Sequence, residues 1–148
     1  MASIRLLGPG DEDVLALLAA DEADFDLEDR GSSRSSTPEA AAYLADSAVL
    51  HWVAEESGRV VGLLLAYVQR RRAGDASQLM LYEIGVREAH RRRGVGRSLV
   101  DAMREWMERH DVAEAWVLAD SRGAEEFYAA CGFARDDDQP VQMTLTLR

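Results

Sequence analysis

Residues Arg91-Arg92-Arg93-Gly94-Val95-Gly96 form a stretch that can bind an anion. Gly94 and Gly96 leave backbone N–H groups unobstructed where an apolar period of helical spacing begins, with Val95, Leu99, Ala102, Met103 and Trp106 on one face. A helix N-terminus carries roughly half a positive charge, so N–H groups pointing out of it make a nest for phosphate oxygens. Arg91, Arg92, Arg93 and Arg97 add full charges for further phosphates. Helix starts ordinarily gain from carboxylates, so arginines there point to an anionic ligand; the other reading is a glycine-rich turn with solvated arginines.

The rest of the chain has the opposite character, because 17 basic against 27 acidic residues give a net charge of −10. That balance argues against a nucleic-acid partner, which requires basic charge spread over a face, and favours a cationic one. The carboxylates of "DEADFDLED" (21–29) and "DDD" (136–138) are the candidate attractors, or else a solvated acidic surface. Cys131 is the single cysteine and reads as a small buried hydrophobe, while His51, His90 and His110 lack metal-ligand spacing, so neither a disulfide nor a metal is expected. No window approaches the roughly 18 apolar residues of a membrane span, and the expectation is a soluble cytoplasmic protein of one domain, residues 1–148.

The elements that must position these groups follow from patterning. "SIRLL" (3–7) reads as a strand, and Asp11 can cap the helix of "VLALLAA". An acidic connection with a short helical turn leads to Thr37 and Pro38, which suit the N-cap and first position of a second helix through about Ala45. The runs 48–55 and 59–68 are strands around a tight Glu56-Ser57-Gly58 hairpin, and "QLMLYEIGV" (78–86) is a third strand leading to the arginine–glycine turn. After the helix of 95–109 come a strand (114–120), a helix in "AEEFYAAC" stopped by Gly132, and an alternating strand from Pro140.

This succession resembles the GCN5-related N-acetyltransferase family, whose signature Arg/Gln-x-x-Gly-x-Gly/Ala is met by residues 91–96. The likeness spans nearly the whole chain. It implies an α/β fold with a mixed, mostly antiparallel sheet flanked by helices, in the order β-α-α-β-β-β-α-β-α-β-β. It also implies acetyl-CoA as cosubstrate. By the same resemblance, Arg91, Arg92, Arg93, Gly94, Val95, Gly96 and Arg97 hold its pyrophosphate, largely through the N–H groups of 92 to 97. Gly85 and Val86 then lie beside the pantetheine and thioester, and an N–H near Val86 meets the oxyanion.

"LYEIGVREAHRRRGVGRSLVDAM" and the later "FYAACGF" are similar to the gentamicin-type aminoglycoside 3-N-acetyltransferases. Tyr82-Glu83 stands where those enzymes carry a tyrosine and an aspartate, and the segment between Asp120 and Tyr128 is shorter here. The resemblance implies acetylation of an aminoglycoside, at its 3-amine, conferring antibiotic resistance. Glu83 is the implied base or amine-positioning carboxylate, and Tyr128 the acid for the coenzyme A sulfur. Asp24, Asp26, Tyr82, Glu83 and Asp120 are the implied contacts to the cationic acceptor. Each has a plainer reading: an edge-strand charge for Glu83, a core aromatic for Tyr128, a helix cap for Asp120. No residue is placed as an acyl-carrying nucleophile, so direct transfer in a ternary complex is expected. The alternatives are another amine (a polyamine, an amino-acid derivative or a protein N-terminus) and a non-catalytic acetyl-CoA sensor. The expected partner is a cationic small molecule, without nucleic acid or membrane, and the outer strands are compatible with a homodimer.

Overall fold

The computed structural model describes residues 1–25, 37–138 and 140–147. Two compact units divide the chain, Met1–Leu118 and Ala119–Arg148.

The first unit is built on a five-stranded sheet in sequence order. Strands β1 (Ser3–Leu6), β2 (Val49–Glu56), β3 (Arg59–Gln69) and β4 (Gln78–Val86) pair antiparallel, and β5 (Ala115–Val117) joins β4 in parallel. The β2–β3 hairpin closes on Ser57 (φ 52°) and Gly58 (φ 75°), the two left-handed residues of a type I′ turn whose twist matches that of the strands. Asp11 stands at the N-cap of α1 (Glu12–Ala20) without capping it by its side chain. Its carboxylate instead accepts from Gly8 N–H and Arg5, which tie β1 to the helix start.

Neighbouring residues of a strand face opposite ways, and two helical layers use this. On one face Val53 and Leu63 join Leu7, Leu18, Phe25 and Leu44 in a core formed with α1 and α2 (Thr37–Ala45). Val60 enters the same cluster because β3 carries an extra residue, Val61, opposite the Ala54–Glu55 step of β2, and this bulge resets the alternation. On the other face lies α3 (Val95–Arg109), which buries Val95, Leu99, Val100 and Met103. Its first turn sits directly on Gly62: a Cβ there would be 3.0 Å from Val95 Cγ1, 3.2 Å from Leu99 Cδ1 and 3.3 Å from the Gly85 carbonyl oxygen. Gly62→Ala is therefore expected to cost about 1–3 kcal/mol by overpacking and to shift the start of α3. A lower midpoint in thermal unfolding would check the first effect and changed amide chemical shifts at the start of α3 the second.

In the second unit α4 (Arg122–Ala130) is capped by Ser121, whose hydroxyl accepts from Ala124 N–H. Its C-terminus is a Schellman motif: Gly132 (φ 101°) breaks the helix and Phe133 N–H donates to the Tyr128 carbonyl. The observed order agrees with the expected one through α4. The strands expected after it are not among the elements that the described residues form: 140–147 have no ladder, and Val141, Met143, Leu145 and Leu147 stand exposed. A strand pattern becomes a strand only where backbone partners are present. Among the described residues no helix is long and apolar enough to cross a membrane.

Candidate active site

The parallel ladder between β4 and β5 consists of Leu79–Ala115, Met80–Trp116 and Leu81–Val117. Beyond Leu81 the remainder of β4 stays paired to β3, down to Val86 opposite Gly62, without a further rung to β5. At the same point the register against β3 slips: Glu83 faces Leu65 and Leu81 faces Ala66, so Tyr82 is an inserted residue. A bulge bends its strand and re-aims the side chains beside it. Tyr82 and Glu83 thus stand at the fork where β4 leaves β5, on the strand that leads to the arginine–glycine turn.

Partly buried polar side chains surround Glu83. Tyr67 and Tyr82 meet edge to face, with centroids 5.4 Å apart. The Tyr43 hydroxyl lies 3.2 Å from His51 Nδ1 and also hydrogen-bonds Tyr67. Burial pushes the Tyr43 phenol above its usual range, with Tyr67 and the charge of Glu83 adding to the effect. His51 is opposite Leu65 on β2, as Glu83 is on β4, so the three occupy one row across the sheet. Its ring is buried, and desolvation lowers its pKa to about 4. The imidazole is therefore neutral at physiological pH.

After β4 the chain passes through a short 3-10 turn, Glu88–His90, into the predicted anion site. Arg92 (φ 61°) and Gly94 (φ 82°) are both left-handed, the kind of backbone that gathers N–H groups into a concavity. Gly94 is the N-cap of α3, and the helix ladder opens with the bond from Ser98 N–H to the Gly94 carbonyl. The N–H groups of Val95, Gly96 and Arg97 precede that ladder, and the first turn contains no acid. Arg91, Arg92, Arg93 and Arg97 are exposed. Arg91 donates through Nε to the Val86 carbonyl (2.9 Å) and through Nη2 to the Asp24 carbonyl (3.2 Å), both neutral groups, and forms no ion pair among the described residues.

The other candidate residues divide. Gly85, Val86, Tyr82, Glu83 and residues 91–97 belong to the first unit and to one continuous segment of β4, turn and helix. Asp24 is close to the turn, but its carboxylate is engaged by Arg87, which holds it below the usual carboxylate range. Asp26 lies outside the described residues. Asp120 and Tyr128 belong to the second unit. There Ser121 supplies the helix cap that Asp120 was a candidate for. The Tyr128 ring packs between Phe127 (5.3 Å) and Phe133 (5.5 Å). Burial raises its phenol to about 12, with Asp120 and Cys131 contributing.

Sequence reasoning missed Tyr43, Tyr67, His51 and Arg87. The first three sit in runs that read as helix and strand packing; the sheet register sets His51 in line with Glu83, and Tyr43 reaches His51 and Tyr67 from α2. Arg87 is 3% exposed, and its partners Asp21 and Asp24 are more than sixty residues away, so no local pattern signals it.

Residues 16–133 match the model of the acetyltransferase (GNAT) family. Among solved structures, an aminoglycoside acetyltransferase from an uncultured soil metagenomic sample, in complex with sisomicin, is 22% identical with a TM-score of 0.87, over 99% of this chain and 97% of that one. The ribosomal-protein-alanine N-acetyltransferase of Brucella melitensis is 20% identical with a TM-score of 0.75, over 99% and 100%. AAC(6')-Iy in complex with the bisubstrate analogue CoA-S-monomethyl-acetylneamine is 15% identical with a TM-score of 0.79, over 99% of each chain. No curated protein matches the sequence. These proteins share the fold, and the family match covers the strands, the 91–97 turn and α3 that make up the site: the chain belongs to the acetyltransferase (GNAT) family.

Proposed function

We propose that this acetyltransferase transfers the acetyl group of acetyl-CoA to an amine of an aminoglycoside, the 3-amine, in a ternary complex in the cytoplasm, and so confers resistance. The observation that supports the reading is Glu83 at the bulge of β4, a carboxylate beside Tyr82 and eight residues before the arginine–glycine turn begins at Arg91. A net charge of −10 and the sisomicin-bound structural neighbour support a polycationic acceptor.

The residues of the turn fit the cosubstrate. A left-handed Gly94, helix N–H groups preceding the ladder, a first turn free of acid and an Arg91 held by two neutral carbonyls together suit a pyrophosphate. Bound acetyl-CoA supplies an activated thioester. The chain must then hold the amine, take its proton, and polarise the carbonyl and the departing sulfur. Glu83 binds the ammonium form and accepts its proton directly or through water, while Tyr82 borders the acceptor. A backbone N–H near Val86 donates to the oxyanion.

Tyr128 donates a hydrogen bond to the sulfur. A phenol raised to about 12 is protonated at any physiological pH. It also lies well above an ordinary thiol, so it stabilises the thiolate by hydrogen bonding rather than by complete proton loss. Tyr128→Phe is accordingly expected to lower kcat about tenfold with little change in the KM for acetyl-CoA, as steady-state kinetics would measure. An unchanged kcat would remove this role.

The test of the function is coenzyme A thiol release with gentamicin, kanamycin, spermidine and a basic peptide as acceptors, with the acetylated position located by NMR. Release with gentamicin and acetylation of its 3-amine supports the reading. Release with another amine alone replaces the substrate, and coenzyme A binding without release for any acceptor makes the chain a sensor.

A further inference from the structure

Arg87 emerges from β4 four residues ahead of Arg91 and is almost fully buried, yet every face of its guanidinium is used. Its Nε donates to the Val60 carbonyl, one of the groups displaced by the β3 bulge, at 2.6 Å. Nη1 reaches Asp24 Oδ2 at 2.9 Å, Nη2 reaches Asp21 Oδ2 at 2.8 Å, and the guanidinium carbon lies 4.5 Å from the Phe25 ring centroid. Burial disfavours the charge, but Asp21 and Asp24 outweigh it and hold the guanidinium ionised. The 3-10 turn Glu22–Phe25 is thereby fastened to the end of β4. The attachment is made twice more, by a hydrogen bond from Glu88 N–H to the Asp24 carboxylate and by Arg91 Nη2 on the Asp24 carbonyl.

Two consequences meet at the anion site. Asp21 and Asp24 would place negative charge beside a phosphate-binding turn, and Arg87 neutralises part of it from the buried side. The Asp24 carbonyl fixes the direction of Arg91 without cancelling its charge. We propose that Arg87 is a positioning residue of the coenzyme A turn: it holds the 22–25 turn so that the Asp24 carbonyl orients Arg91 toward the phosphates. Asp24 then serves the cosubstrate side and not the acceptor. This rests on residues 91–97 being the coenzyme A turn.

Lysine in place of Arg87 keeps the charge but loses the planar fork that reaches Val60, Asp21 and Asp24 together. The experiment is calorimetric binding of coenzyme A to four proteins: wild type, Arg87→Lys, Arg91→Ala and the double variant. Wild type must bind first, since failure there is failure of the turn reading itself. Arg87→Lys is expected to raise the Kd roughly tenfold, comparable to losing one charged hydrogen bond, and to add nothing once Arg91 is gone. A lower Tm with unchanged Kd would overturn the proposal and leave Arg87 a purely stabilising residue. Equal weakening in both backgrounds would overturn it too, because the effect would not pass through Arg91. If Arg87→Lys does not fold, the half-exposed Asp21→Asn gives the same comparison, with an expected loss of about two- to threefold that again vanishes without Arg91.

Discussion

Glu83→Gln is expected to lower kcat by at least about a hundredfold while leaving the Kd for coenzyme A within about twofold, because proton removal by a positioned base contributes roughly that much. The acceptor amine is largely protonated at neutral pH, and an ammonium has no lone pair with which to attack a thioester. Glutamine keeps the shape and a hydrogen-bonding oxygen, but it neither attracts the ammonium nor takes its proton. Its amide would occupy the same place at the β4 bulge, opposite Leu65. Glu83→Asp should retain part of the rate, since the enzymes that the sequence resembles use aspartate there and only the reach is shortened. Single-turnover acetylation alongside calorimetric coenzyme A binding separates the steps. A glutamine variant that acetylates at the wild-type rate across pH would remove Glu83 from the chemistry and return it to an edge-strand charge.

How much of this site could be read beforehand depends on how local its determinants are. The 91–97 turn was legible because its requirements are written in consecutive residues: Gly94 for a left-handed N-cap, arginines where acids would normally stand, and an apolar period for α3. The Ser57-Gly58 hairpin and the Gly132 helix stop were legible for the same reason. The bulges at Val61 and Tyr82 were not, since one more residue in an apolar run leaves no mark in composition, yet they direct Val60 into the core and locate Glu83 at the strand fork. Asp11 was read as a cap from its position, and a tertiary competitor, Arg5 on β1, took part of its carboxylate. The ion pair of Asp24 leaves no mark in the local sequence, because its partner Arg87 follows it by 63 residues. Such pairs are decided by the sheet, which brings the end of β4 to the chain leaving α1.

The same row of the sheet makes His51 a determinant of acid stability. Its Nδ1 faces the Tyr43 hydroxyl, and its Nε2 meets no hydrogen-bond partner among the described residues. A buried orphan N–H costs more than an orphan lone pair, which favours the tautomer with its proton on Nδ1, donating to Tyr43. A second proton would have to sit on Nε2, buried and unpaired, and desolvation accordingly lowers the pKa to about 4. In the unfolded chain the value is about 6.5. Between these two values the unfolded state takes up the proton and the folded state does not, so stability is fully present above about pH 6.5 and is lost as the pH falls toward 4. The loss between pH 7.5 and 4.5 is expected to be about 2.5 kcal/mol from this residue alone. Urea unfolding of wild type and His51→Gln at both pH values isolates it, because carboxylates such as Asp24, whose pKa is lowered by Arg87, titrate in both proteins and cancel in the difference. His51→Gln should be the less stable protein at pH 7.5, having lost the imidazole contact to Tyr43, and should give up about 2.5 kcal/mol less on acidification. Equal losses in the two proteins would mean that His51 charges within the folded state, and the buried row from His51 to Glu83 would then have to admit water.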